Sequence, residues 1–165
     1  MKYLGIKLTF MSLLIVLTTQ MSMAGTIHGK QFKDWQGRCQ PVKNQELCFI
    51  MQIFSVDGKA PLMVTTVDVK RNAKVPVIIM RVSTELDNKK DVMFKVDKNK
   101  PIGLKAECND NECSIVFPLD KRMLGEFKRG NRAVMGFIAK DTGKVVYLPL
   151  SLTGFTKAFN TLKKS

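Results

Sequence analysis

"QELCFIMQIFSVDGKAPLMVTTVDV", residues Gln45 to Val69, decides the fold. Gln45 to Val56 carries the apolar and β-branched residues of a strand and stops at Asp57-Gly58, a strong hairpin-turn signal. Beyond the turn, Leu62, Val64 and Thr66 alternate with Met63, Thr65 and Val67, and both faces read as at least half buried. A strand pair is expected here.

The same grammar repeats towards the C-terminus. Val75 to Val82 ("VPVIIMRV") reads as a strand whose Pro76 belongs at its start or at a sheet edge, because proline donates nothing to a ladder. Asp91 to Asp97 and Ile102 to Glu107 flank the turn "KNKP", and Cys113 to Phe117 adds another strand. The pattern changes at Pro118: Leu119, Met123 or Leu124, and Phe127 fall at helical spacing, with Gly130 placed to end the helix. Asn131 to Lys140 and Lys144 to Leu152 bracket "DTG" as a last hairpin. After Gly154, the residues Phe155, Ala158, Phe159 and Leu162 form one apolar helical stripe.

These signals predict an all-β chain, a β-sandwich of immunoglobulin-like or jelly-roll-like type, with a short helix near 119–128 and a C-terminal helix. Internal repeats, low-complexity tracts and interdomain linkers are absent from the sequence. Strand order does not follow from these signals.

The N-terminus bears on location. Lys2 and Lys7 precede a largely apolar run from Leu8 to Leu17, and Ser22-Met23-Ala24 has the small-x-small form of a cleavage site. Residues 1–24 therefore read as a secretory signal peptide, too short in its apolar run for the roughly 20 residues of a membrane span. Residues 25–165 are then expected to form a single domain with no transmembrane segment. Cleavage would remove two of the 27 basic residues and none of the 14 acidic ones, so the exported chain stays strongly cationic. The short lead "GTIHGKQFK" reads as polar, with His28 as a mobile surface residue.

Export places Cys39, Cys48, Cys108 and Cys113 where disulfides form and persist. Proximity favours Cys39 with Cys48 and Cys108 with Cys113, the second pair enclosing turn-forming residues; a crossed pairing such as Cys48 with Cys113 is also compatible with the sequence. The intervals do not match the close C-x-x-C spacing of zinc or thioredoxin-like redox sites, so no metal and no cofactor is expected.

Catalytic signatures are likewise absent. His28 is the only histidine, which leaves no base for a Ser-His-Asp or Cys-His arrangement. Asp110 and Glu112 lie inside the short cysteine loop, where polar residues serve as turn formers. Phosphate-cradling, zinc-protease and dinucleotide motifs do not occur. Trp35, beside a disulfide in a β-domain, is expected in the core.

The cations fall into local groups, among them Lys70, Arg71 and Lys74, and Lys128, Arg129 and Arg132. Lysine on exposed strands also blocks edge pairing and maintains solubility. The functional reading is a cationic face for an envelope or host-surface component such as lipopolysaccharide or a sulfated glycan, weakening with salt. Nucleic acid is disfavoured by export and by the lack of a nucleic-acid module.

"DWQGRC" near the mature start, "CFIMQ", the paired-cysteine turn "CNDNEC" and the ending "LPLSLTGFTKAFNTL" together resemble the invasion-associated locus B family of exported bacterial proteins. The resemblance implies a periplasmic or surface-associated β-sandwich, a part in host-cell entry for members in pathogens, and no catalytic residues. "VPVIIM" and Glu112 depart from that family's pattern. The expectation is a non-enzymatic, exported interaction module; the alternative is a periplasmic structural or chaperone-like factor that binds other envelope proteins through sheet edges or an apolar patch.

Overall fold

The computed structural model describes residues 27–43, 45–69, 75–83 and 86–165. The expected leader at residues 1–24 and the group Lys70, Arg71 and Lys74 lie outside them. Eleven strands and two helices follow in order: β1 (Gln31–Phe32), β2 (Trp35–Val42), β3 (Gln45–Phe54), β4 (Met63–Asp68), β5 (Val77–Val82), β6 (Val92–Val96), β7 (Ile102–Leu104), β8 (Ala106–Cys108), β9 (Cys113–Pro118), α1 (Lys121–Arg129), β10 (Arg132–Ile138), β11 (Val145–Ser151) and α2 (Phe155–Leu162). They form a seven-stranded sheet, β1-β2-β3-β4-β5-β9-β8, and a four-stranded sheet, β11-β10-β6-β7, with antiparallel pairing throughout.

The expected hairpins are present. Asp57 and Gly58 both take positive φ at the tip between β3 and β4, as a primed turn requires. Phe54 pairs with Met63, and the register runs on to Phe49 with Asp68. Pro76 immediately precedes β5, which is an interior strand, and its carbonyl accepts from Leu119 N–H at 2.8 Å. Proline therefore marks a strand start here and no edge.

One expected strand is divided. Ile102 to Glu107 splits at Lys105: β7 pairs with β6 in the small sheet, and β8 pairs with β9 in the large one. Lys105 itself turns outward to Asp91 at 2.5 Å. The alternation continues through the break, so the sequence pattern carried no mark of the change of sheet.

The N-terminal lead is also more than a polar tail. Ile27 is fully buried, Phe32 is buried in β1, and Gly37 in β2 has no Cβ to collide with the Ile27 backbone lying over it. His28 is held as well, its Nδ1 accepting from Cys39 N–H at 3.0 Å. The polar appearance arose because only Ile27 and Phe32 of this stretch face inward, with four exposed residues between them.

Inward residues of both sheets and both helices make one core. An aromatic column crosses it: Trp35 meets Phe155 at 5.2 Å between ring centroids, Phe155 meets Phe127 at 5.2 Å, Phe127 meets Phe94 at 5.9 Å and Phe94 meets Phe117 at 5.3 Å. Trp35 is fully buried, as its sequence setting implied.

Both helices occur where the apolar spacing placed them. Asp120 caps α1, its carboxylate accepting from Met123 N–H at 2.7 Å, while Met123 and Phe127 point into the core. Gly130 ends α1 without a left-handed conformation; a Cβ there would crowd Val96 and Leu152 at 2.8 and 2.9 Å, so the requirement is close packing. Gly154 before α2 does take φ 90°, and a Cβ would run into the Phe32 carbonyl. Among the described residues no helix is long and apolar enough to cross a membrane.

Candidate anion-binding face

Both disulfides are the local ones. Cys39 pairs with Cys48 and Cys108 with Cys113, in each case between residues directly opposite across an antiparallel pair. The bridges pin the β2–β3 and β8–β9 hairpins. Cys39, Glu46 and Cys48 are the one group among the described residues with three potential metal ligands close together, and the disulfide consumes both sulfurs. Their position offers no thiolate to an ion.

Residues from three of the four quoted motifs, all but the paired-cysteine turn, converge on one strand end. Ser151 Oγ donates to Asp34 at 2.6 Å, Trp35 Nε1 donates to the Ser151 carbonyl at 2.9 Å, and the Gln52 amide bonds both the N–H and the carbonyl of Ser151. Phe155 packs edge-on to Trp35. A serine beside a carboxylate invites a hydrolase reading, but the contact is direct and lacks the imidazole a hydrolase places between them. The chain's sole histidine is bound to Cys39. The cluster is a clamp joining the two sheets.

The polar chemistry that faces solvent lies at the end built by α1, the β6–β7 turn, the α1–β10 junction and α2. Two concave clefts open there, of about 1150 and 900 Å³. Lys95, Lys98, Lys121, Arg122, Arg129 and Arg132 line the first; Lys33, Lys128, Arg129, Lys157 and Lys164 line the second. Arg129, Gly130 and Asn131 belong to both, so the clefts share a ridge.

Local structure ties down the acids that would neutralise this face. The Asp97 carboxylate accepts from the N–H groups of Asn131 and Arg132 at 3.0 and 3.1 Å, Asp120 is the cap of α1, and Glu126 pairs with Arg122 at 2.6 Å. Lys95, Lys98, Lys121, Arg129 and Arg132 stand exposed, and among the described residues no carboxylate lies within 4 Å of them. Their charge is therefore presented to solvent.

The ridge is held firmly. Asp97 takes positive φ at the turn after β6, a conformation aspartate tolerates, and its N–H donates to the Arg132 carbonyl at 2.9 Å. Leu152 N–H bonds the Asn131 carbonyl at 2.9 Å from the other side, and Thr156 Oγ1 donates to the Lys128 carbonyl at 2.9 Å. Lys128 lies 5.1 Å over the Phe159 ring, which orients its stem along α2.

The structure thus brings Lys128, Arg129 and Arg132 together at the ridge, with Lys70, Arg71 and Lys74 outside the described residues. Lys33 and Lys157 were not singled out from the sequence. Both lie far along the chain from the basic groups, and only the packing of β1 and α2 beside α1 makes them neighbours.

A family model described as invasion associated locus B (IalB) protein matches residues 35–163. The crystal structure of invasion associated protein b from Bartonella henselae aligns with a TM-score of 0.72, at 18% identity over 82% of this chain and 94% of that one. At that identity the likeness shows a shared fold. No curated protein matches the chain.

Proposed function

Because the chain belongs to the invasion associated locus B family, we propose that it is an exported, non-enzymatic interaction module of the bacterial envelope that engages anionic surfaces through the cationic end of its sandwich. One observation carries this reading: basic side chains line two adjoining clefts, while the carboxylates of the same segments are already engaged by backbone N–H groups or by Arg122. A face with unpaired charge in concave surroundings concentrates counter-charged ligands. Two disulfides fit an oxidising compartment, in keeping with the leader read at residues 1–24. A part in host-cell invasion comes from the family alone.

The test is binding of the full chain to immobilised heparin and lipopolysaccharide across a salt series. Retention at low ionic strength that falls steeply with salt is expected. No retention on either matrix at low salt would end the proposal.

A second reading rests on a different surface. Met93, Val145 and Tyr147 are 44, 57 and 69% exposed on the four-stranded sheet, and β11 is an edge strand. Apolar exposure beside an open edge suits a partner that adds a strand. Capture of an envelope protein that is unaffected by salt and lost on changing Tyr147 to lysine would favour this alternative.

A further inference from the structure

The two clefts adjoin along the ridge of Arg129, Gly130 and Asn131, so one extended ligand that crosses the ridge reaches both. Lys121, Gly125 and Arg129 recur every four residues along α1 and so share one helix face over about 12 Å. Gly125 leaves that face open: a Cβ there would meet the Arg129 guanidinium at 3.3 Å. Arg129 thereby lies back along the helix and lines both clefts.

Two features of α1 are poor choices for folding alone. Its first turn holds Lys121 and Arg122, which the positive end of the helix dipole disfavours and which the Asp120 cap is left to offset. Its middle holds a glycine, the weakest helix former after proline. Both make sense if an anion lies against α1, where helix dipole and side-chain charge add. The ridge is already ordered by Asp97 and Leu152, so binding would not have to order it.

We infer that the adjoining clefts take one extended, sulfated linear polysaccharide, laid along α1 and across the Gly130–Asn131 ridge with Arg129 as its central anchor; the inference rests on the proposed binding of anionic surfaces. The lining chemistry separates this ligand from other polyanions. An acyl chain needs an apolar slot, and the apolar lining is confined to Val134 in one cleft and the buried Phe32 and Leu152 in the other. Single-stranded nucleic acid needs aromatic platforms for its bases, and neither cleft has an exposed aromatic. A sulfated sugar offers anions at intervals with hydroxyls between them, which arginine forks and amides such as Asn131 and Asn160 can meet.

The experiment is calorimetric titration of the full chain with heparin oligosaccharides of graded length at fixed salt. Affinity should climb steeply once the oligosaccharide spans both clefts and then level off. Arg129→Gln should weaken the long oligosaccharides by about tenfold, the scale of one charge-assisted contact. Lys98→Gln and Lys157→Gln, one from each cleft, should each weaken the long forms, whereas Lys89→Gln, outside both clefts, should leave them unchanged, all with melting temperatures as in the parent. An equal loss for Lys89→Gln and Arg129→Gln, no length dependence, or equally tight binding of an oligodeoxythymidylate of the same charge would overturn the inference. Lipopolysaccharide bound with every oligosaccharide refused would overturn it while leaving the broader proposal standing. Refusal of both at low salt would remove the broader proposal itself.

Discussion

The side chain of Gln52 completes a backbone rung for Ser151. Its Oε1 accepts from Ser151 N–H at 2.9 Å and its Nε2 donates to the Ser151 carbonyl at 3.0 Å. β11 is an edge strand, and its residues alternate in the direction of their backbone groups. Pro149, which has no N–H to offer, shares the outward phase with Ser151. A residue in the middle of the large sheet therefore occupies the ladder position that an additional strand would take on the small one, and Trp35 binds the same carbonyl from beside it. The arrangement joins the sheets and closes that end of the edge.

Removing the amide should cost more than its size implies. Gln52→Ala leaves the Ser151 N–H without its partner, although the carbonyl keeps Trp35, and the expected loss is about 1–3 kcal/mol. Gln52→Glu keeps an acceptor for the N–H but sets a carboxylate oxygen against the carbonyl, and should be worse. Urea denaturation midpoints for the two variants give the comparison; an alanine variant as stable as the parent would show that the clamp does not hold the sheets.

Gly154 carries a conformational and a steric requirement together. Alanine there would sit at φ 90° and strike the Phe32 carbonyl. The conformation alone costs about 1–2 kcal/mol, so the thermal melt of Gly154→Ala should show a loss beyond that, with α2 and its Phe155–Trp35 contact disturbed first. Near-ultraviolet circular dichroism from the single tryptophan reports the contact directly. A variant with parental melting temperature and spectrum would refute the close approach.

The disulfides span sequence separations of 9 and 5. On the chain-entropy account each contributes roughly 2–3 kcal/mol, with the longer loop slightly ahead. Replacing Cys39 and Cys48 together by alanine should therefore destabilise the protein somewhat more than replacing Cys108 and Cys113, as read from non-reducing denaturation curves. The reverse order would mean that native packing around the buried Cys113 outweighs loop closure.

Gly125→Ala should separate stability from binding. A helix interior gains about 0.5–1 kcal/mol from the exchange, while the new methyl meets the Arg129 guanidinium at 3.3 Å and displaces it. Melting temperature should rise as heparin affinity falls. Stability and affinity moving in the same direction would show that Gly125 does not keep space for Arg129.

The parts of the fold that were legible in the sequence are those fixed by neighbours along the chain. Asp57-Gly58 makes its turn through its own backbone preferences, and Met123 and Phe127 bury because four residues bring a helix back to the same face. The misread parts depended on distant partners. Ile27 is core only because Gly37 lets its backbone lie over β2, and Lys105 divides a strand only because two sheets lie on either side of it. Lys33 and Lys157 carry no local signal, since a lone lysine looks alike on any surface.

The sequence by itself determined the strand and helix segments and the family, and it favoured the two local cysteine pairs over a crossed one, because turn geometry, side-chain period and loop closure act over a few residues. Only the tertiary structure decided that Asp34, Trp35 and Gln52 meet at Ser151, across sequence separations of 117, 116 and 99 residues, and that Arg129 lines two basic clefts. Those meetings follow from how the sheets and helices pack around one shared core, and packing is a property of surfaces that do not exist until the chain has closed on itself.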